Sequence, residues 1–483
     1  YWVNNALGGG KTVFIKNGEY TLAGYTLKKD VKVIGENPEK VIVSQSNGHH
    51  GMIFVNNGIE ASFENMSFTN AYNTLMPYGG VFSNYYDSTL NLTNCRFYNN
   101  TGMDGGVIYT NGAGTTNIVN CSFFNNTCLK LGSAGAIYAW SSPDKAMGTL
   151  KIVNSIFDGN VGKESGGAIV NNGQNLIIIG STFKNNFADT NKELSAALMG
   201  GGAIYIQRGP TNIINTTFLN NKANNYGAAI YALSGFNMTG CVLINNTSPK
   251  DGGIYIEYSK DPTNISNSVL IGNGVLKYNQ NYDTVVIANG NWFGTNSASF
   301  SCDYYVKMTY KFKKDGDGFK IIISFKYVDQ KGIESSIVGY FPSRYISLKA
   351  TSGTLAETEG NLVNNEFITH YTPTSADNIG TISATIDSCT VKFTPEYHSY
   401  VFINGVAYES LEDAIADAKD GDIIKVIAGT YNIESPMIID KNITIIQNST
   451  DAKVILNGIK QIFNVKNNGT LNIVGITLTN GQY

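Results

Sequence analysis

Across the first 298 residues, apolar side chains occupy every second position in short runs, and the runs return at regular intervals. In Leu90-Asn91-Leu92 and the following Cys95-Arg96-Phe97, the apolar residues share one face and the polar residues the other. A period of two marks a strand with one buried face. Each run closes on the same phrase: Asn or Gly, then Cys, Ser or Thr, then any residue, then Phe or Leu. It begins at Asn94, Asn120, Asn154, Gly180, Asn215, Gly240 and Asn267, with a looser copy at Asn65. The seven full copies lie 25 to 35 residues apart. Such a period describes one supersecondary unit stacked again and again, each burying a face against the next. The pattern predicts a solenoid of β rungs.

The columns of the repeat carry separate instructions. Asn alternates with Gly at the first position of the phrase, and again at Asn99, Asn125, Gly159, Asn185, Asn220, Asn245 and Gly272. These are the residues that enter the left-handed region at least cost, so both columns read as bends. The next column does not alternate: Asn100, Asn126, Asn160, Asn186, Asn221, Asn246 and Asn273. A position held to one side chain needs that side chain, and amides stacked ~4.8 Å apart can hydrogen-bond along a ladder. A third strand follows each bend, as in Gly105-Gly106-Val107-Ile108-Tyr109 and Gly201-Gly202-Ala203-Ile204-Tyr205. In Ala203-Ile204-Tyr205-Ile206 the two Ile share a face, so the Tyr points the other way. Tyr109, Tyr138, Tyr205, Tyr231 and Tyr255 are thereby expected to form an outward, exposed ladder, a rigid apolar surface with polar tips suited to sugars or proteins. Strand, bend, strand, loop and strand make one coil of a parallel β-helix.

The Gly-Gly-Ala-Ile and Phe-x-Asn-Asn vocabulary resembles the right-handed parallel β-helix repeats of chlamydial polymorphic membrane proteins, within the pectin-lyase-like superfamily. It is also similar to the large adhesin-like surface proteins of methanogenic archaea, whose helices close on Asn-Trp-Trp-Gly-Thr-Asn. Here that phrase reads Asn291-Trp292-Phe293-Gly294-Thr295-Asn296. The resemblance implies an all-β chain, an extracellular place on the cell surface and a role in display or adhesion.

After Phe293 the vocabulary changes. Between about Cys302 and Phe393 the Gly-Gly and Asn-Asn columns give way to alternating strands such as Lys320-Ile321-Ile322-Ile323, Ile346-Ser347-Leu348 and Thr381-Ile382-Ser383-Ala384. Short strands with turn signals between them predict an immunoglobulin-like β-sandwich acting as a spacer. The opening of the chain then recurs, since Ala418 to Tyr431 matches Leu7 to Tyr20. Residues 409–418 have helical apolar spacing, which fits a cap over a first rung. The expected division is a β-helix over 1–298, the sandwich over 299–396, and a cap with the first rungs of a second β-helix over 397–483. Both ends read as cuts in a longer array.

Composition narrows the function. With a formal charge of -3, 15% charged residues and no basic stripe, the chain is not expected to bind nucleic acid or to insert directly into a membrane. Cys95, Cys121 and Cys241 fill the small column that Ser and Thr take elsewhere and read as core thiols, whereas Cys302 and Cys389 are the pair expected to form a disulfide. No cofactor is expected, and no Cys/His spacing points to a metal. Carboxylates in the repeat region, among them Asp104 and Asp158, share no column, and Asp104-Gly105 reads as a turn. The histidine pair His49-His50 reads as a surface loop. Of the sequons, Asn91 and Asn237 lie outside the bend columns and are the better glycosylation candidates. The loops at Phe187 to Gly200 and Ser141 to Met147 are recognition candidates, since long loops on a rigid scaffold carry specificity. These features favour a non-enzymatic adhesin or stalk module that meets glycans, proteins or neighbouring modules of the same chain. The alternatives are a filament or sheath subunit stacking end to end through open rungs, and a polysaccharide lyase or hydrolase.

Overall fold

The computed structural model describes residues 7–8, 12–22, 24–45, 50–56, 58–74, 78–129, 133–190, 199–250, 252–272, 275–375, 378–396, 401–448, 453–458, 461–467 and 469–481. The chain is all-β, and its first part is a parallel β-helix with three long faces. The first face is an eleven-stranded sheet running from Thr12–Ile15 to Val286–Ile287. The second and third have ten strands each, ending at Val269–Ile271 and Leu276–Tyr278. One full rung reads Thr89–Thr93 on the first face, Arg96–Tyr98 on the second, the short Thr101–Gly102, then Ile108–Asn111 on the third. Equivalent residues of successive rungs pair in parallel: Phe97 with Phe123, Tyr109 with Tyr138.

Each repeat column has a physical task. Asn94, Asn120, Asn154, Asn215 and Asn267 hold φ of 48° to 53°, and Gly180 and Gly240 take 60° and 64° at the same bend. The phenylalanines stack inside the coil, with Phe123, Phe157 and Phe183 at centroid spacings of 4.5 and 4.7 Å and interplanar angles of 3°. Asn100, Asn126, Asn160, Asn186, Asn221 and Asn246 form a continuous amide ladder, each Nδ2 donating to the next Oδ1 at 2.9 to 3.0 Å. The same Nδ2 also donates to a phenylalanine carbonyl one rung back, and the same Oδ1 accepts a backbone N–H, as between Asn126 and Asn160 at 3.1 Å. Asn273 lies outside the described residues.

A second ladder runs through the Cys/Ser/Thr column. The backbone N–H of Cys95 donates to Cys121 Sγ, Cys121 to Ser155 Oγ, Ser155 to Ser181 Oγ, Ser181 to Thr216 Oγ1, Thr216 to Cys241 Sγ and Cys241 to Ser268 Oγ. What these residues share is one acceptor on Cβ, which is why they interchange. Glycine has an equally local reason in the paired-glycine strand. A Cβ on Gly167 would stand 1.9 Å from the Gly202 carbonyl oxygen, and one on Gly106 2.0 Å from that of Gly135.

The Asn-Trp-Phe phrase stands where the β-helix closes, as expected, and is at the same time a last copy of the repeat. Gly290 takes the bend at φ 68°, Asn291 Oδ1 accepts the Ser268 N–H at 2.9 Å, and Phe293 enters the core. Trp292 points outward instead and joins the core of the next unit, two antiparallel sheets spanning Tyr304–Asp315 to Cys389–Phe393. Its Nε1 donates to Asp387 at 2.8 Å, Arg344 pairs with the same carboxylate, and Tyr327 donates to Asn267 at 2.8 Å. The sandwich therefore packs on the second face through a shared core that includes Val269 and, at its edge, Val242 and Ile271.

Beyond it, a helix Leu411–Asp417, capped by Ser410 Oγ, covers parallel strands that restate the first rung. The restatement extends to detail: Tyr20 Oη donates to the Lys16 carbonyl at 2.6 Å and Tyr431 Oη to that of Ile427 at 2.7 Å. No helix among the described residues is long and apolar enough to cross a membrane.

Candidate functional site

The five tyrosines share one column on the outer side of the third face, as the alternation requires, but they are not exposed. Tyr109, Tyr205, Tyr231 and Tyr255 are buried at 4%, 2%, 6% and 8% exposure, and Tyr138 is half-buried. This corrects the expected exposed ladder. The cause lies in the ends of the connections that lead into the paired glycines. Ala134, Met199 and Tyr226 from those connections pack on the ring column. The column is also interrupted, because Val170 pairs with Tyr138 on one side and Tyr205 on the other.

The interruption divides the face into two halves, each with stacked rings. Toward the C-terminal rungs the rings are stacked: Tyr205 and Tyr231 at 5.4 Å and 25°, Tyr231 and Tyr255 at 6.0 Å and 16°, with Tyr226 on Tyr255 at 4.4 Å. Lys250 Nζ lies 4.9 Å from the centre of the Tyr226 ring. Toward the N-terminal rungs Tyr109 and Tyr138 stack at 5.8 Å and 5°, while Tyr85 is tilted against Tyr78 at 73° and 5.9 Å and against Tyr109 at 45° and 5.7 Å.

Asp104 stands in this second half. It sits in the two-residue link between Thr101–Gly102 and the paired glycines Gly105 and Gly106, where it accepts the Ser133 N–H. Burial pushes its carboxyl above the usual range. Its charge acts on Tyr85, Tyr109, Tyr138, Cys128 and Glu164, and burial followed by that charge raises Glu164 as well. The Tyr138 hydroxyl accepts from Asn172 Nδ2 at 3.0 Å, and Arg208 Nε donates to Asn172 Oδ1 at 2.6 Å. Burial raises Tyr138, while the Asn172 bond and Arg208 pull it down. The charges of Asp104 and Glu164 thus act on one another and on the Tyr138 phenol. The sequence reading passed over this pair because Asp104 read as a turn, although Asp104 and Glu164 each stand two residues after the closing glycine of the short strand, Gly102 and Gly162. The signal was present in the short link itself, which leaves Asp104 no loop to turn away in.

The other candidates fall as follows. Cys302 and Cys389 are free thiols, so the expected disulfide is absent. Cys389 is buried at the edge of the hairpin that pairs it with Ile386, while Cys302 lies beside Gln330 at the far end of another hairpin. Cys95, Cys121 and Cys241 are buried in the coil, and burial pushes the Cys241 thiol up to about 12. Asn91 and Asn237 lie outward on the first face with their amides engaged. Asn91 Nδ2 donates to Glu60 and Ser62 at 3.2 and 3.3 Å, and Asn237 Nδ2 to Asn212 at 3.1 Å. Of the loop at Ser141 to Met147, residues 143–147 are exposed. Most of the Phe187 to Gly200 loop and His49 lie outside the described residues, while His50 is exposed. A cleft of about 340 Å³ opens at the corner between the third and first faces, lined by Gly209, Pro210, Gly235, Asn237, Asp261 and Pro262.

Residues 215–233 match the repeat of Chlamydia polymorphic membrane proteins. That stretch is the rung from the Asn215 bend through Tyr231. No curated protein matches the chain. A solved PL6 family alginate lyase, AlyGC, aligns at 12% identity over 99% of this chain and 71% of its own, with a TM-score of 0.31. A point mutant of that enzyme aligns over the same shares at 12% identity and a TM-score of 0.33. At that distance the likeness carries no statement about substrate or chemistry.

Proposed function

We propose that this chain belongs to a surface-exposed β-helix protein that works by binding, as an adhesin or stalk module that meets glycans or proteins of other cells. The carrying observation is that the repeat is spent on scaffold. Its Asn, Phe and Cys/Ser/Thr columns are buried and hydrogen-bonded from rung to rung, leaving the irregular positions to face outward. The chlamydial repeat match supports the surface location, since it is the repeat of proteins described as membrane proteins. The sandwich supports a load-bearing stalk, because it docks on the β-helix through Trp292 and Asp387 and does not hang from a free linker.

The test is saturable binding of the intact chain to whole cells and to a glycan array, with a panel of polysaccharides incubated in parallel. Binding without product release is the expected result. Release of unsaturated or shortened sugars would replace this reading with a polysaccharide-active enzyme. Concentration-dependent end-to-end assembly in electron micrographs, with no binding to cells or glycans, would replace it with a filament subunit.

A further inference from the structure

We propose that the cleft at the corner between the third and first faces is a binding site for a neutral saccharide. Its walls come from successive rungs: Gly209 to Asn212, Ser234 to Asn237, and Asp261 with Pro262. At about 340 Å³ it falls within the range of roughly 300 to 1,000 Å³ typical of small-ligand sites.

An amide ladder runs along the outside of the coil here. Asn212, Asn237 and Asn264 are register partners on the first face, alternating with the buried Ile213, Met238 and Ile265. Asn264 Nδ2 donates to Asn237 Oδ1 at 2.9 Å, and Asn237 Nδ2 to Asn212 Oδ1 at 3.1 Å. The ladder then stops, because Ile177 pairs with Asn212 at one end and Ile287 with Asn264 at the other. An isoleucine side chain neither donates nor accepts, so among the described residues Asn212 Nδ2 has no acceptor and Asn264 Oδ1 no donor. Nearer the N-terminus the same column is closed, with Asn117 donating to Asn91, and Asn91 to Glu60 and Ser62. Asn212, with its spare N–H, stands in the cleft wall.

Two further features complement the amides. Asp261 is exposed, and its carboxylate has no ion pair or hydrogen bond among the described residues. Three residues earlier on the same connection, Tyr258 is 37% exposed, and Tyr282 of the next connection is 48% exposed. Their rings meet edge to face at 5.2 Å and 70°, which leaves ring surface open to solvent. Vicinal hydroxyls need donors and acceptors side by side, and the C–H face of a pyranose packs on an aromatic ring.

The charge of the wall selects against acidic sugars. It holds Asp261 and no lysine or arginine, since Lys260 lies outside it. Arg208, next to Gly209, is already engaged, its Nε with Asn172 at 2.6 Å and its Nη2 with the Ser141 carbonyl. A uronate would set its carboxylate against Asp261 with no cation to offset the repulsion, whereas a neutral hydroxyl donates to it.

The site rests on the reading of the chain as a binding module and names the class of glycan, but it fails separately. A chain that binds cells and ignores neutral oligosaccharides removes the cleft site and leaves the adhesive reading standing. The experiment titrates the intact chain by calorimetry with cellotriose, mannotriose and triacetylchitotriose, and with trigalacturonate as the acidic counterpart of equal length. Saturable binding of at least one neutral trisaccharide is expected, and none of trigalacturonate. Asp261→Ala should weaken that binding about tenfold and Tyr258→Ala about fivefold, with Tyr258→Phe near the parent and melting curves showing each variant folded. No saturation by any neutral trisaccharide, equal or tighter binding of trigalacturonate, or parent-like binding by a folded Asp261→Ala overturns the proposal.

Discussion

The asparagine ladder and the tyrosine column pass through the same rungs and have opposite characters. Every rung from Asn100 to Asn246 supplies the ladder, and each amide is closed on both sides. The tyrosine column is broken at Val170, with Tyr231 stacked on Tyr255 on one side of the break and Tyr109 stacked on Tyr138 on the other. A column that never varies is holding the rungs in register. One that varies in the middle of a solenoid marks a place where the fold makes no demand and something else can.

Substitutions along the two columns separate these roles. The largest effect is expected for Asn160→Ala, which leaves the Asn126 N–H and the Phe123 carbonyl without partners inside the coil. Losing buried partners on both sides should lower the stability to urea by about 2 to 4 kcal/mol. Gly167→Ala drives a methyl group against the Gly202 carbonyl, and the forced shift of two rungs should cost about 2 to 3 kcal/mol in the same assay. Tyr231→Leu removes a ring stacked on Tyr205 and Tyr255 and should cost about 1 kcal/mol.

The smallest effect has the opposite sign. Burial raises the Asp104 carboxyl above its unfolded value of 3.8, so the folded chain holds that proton more tightly than the unfolded chain. Ionised Asp104 therefore opposes folding at neutral pH, and the opposition fades as pH falls through the raised value toward 3.8. Asp104→Asn should melt slightly above the parent at pH 7, with the gap closing below pH ~4.

The fold was legible because its signals are local and repeated. A bend column of Asn and Gly shows up as positive φ, and an Asn that never alternates shows up as a ladder. What the sequence could not show depends on where the ends of the connections pack. Period-two alternation placed Tyr205 on the outer side of its strand but held no information on whether Met199 and Tyr226 would cover it. Asp104 and Glu164 stand two rungs apart at the same place in the repeat, two residues past Gly102 and Gly162, and the stacking of those rungs brings their charges together. The Trp292 phrase was read as an ending from its resemblance to a known closing phrase, and its place as a last copy of the repeat was not seen. Its neighbours Asn291 and Phe293 kept the pattern, and Trp292 broke it to reach Asp387 across the joint.

The most direct test of this division between scaffold and site is binding per folded molecule to whole cells, measured for Tyr258→Ala combined with Asp261→Ala and, beside it, for Tyr231→Leu, each with its melting curve. The account predicts that the first variant loses binding while its melting temperature stays near the parent's, and that the second melts earlier yet binds normally while folded. Unchanged binding in the first, or loss of binding only in the second, would contradict it.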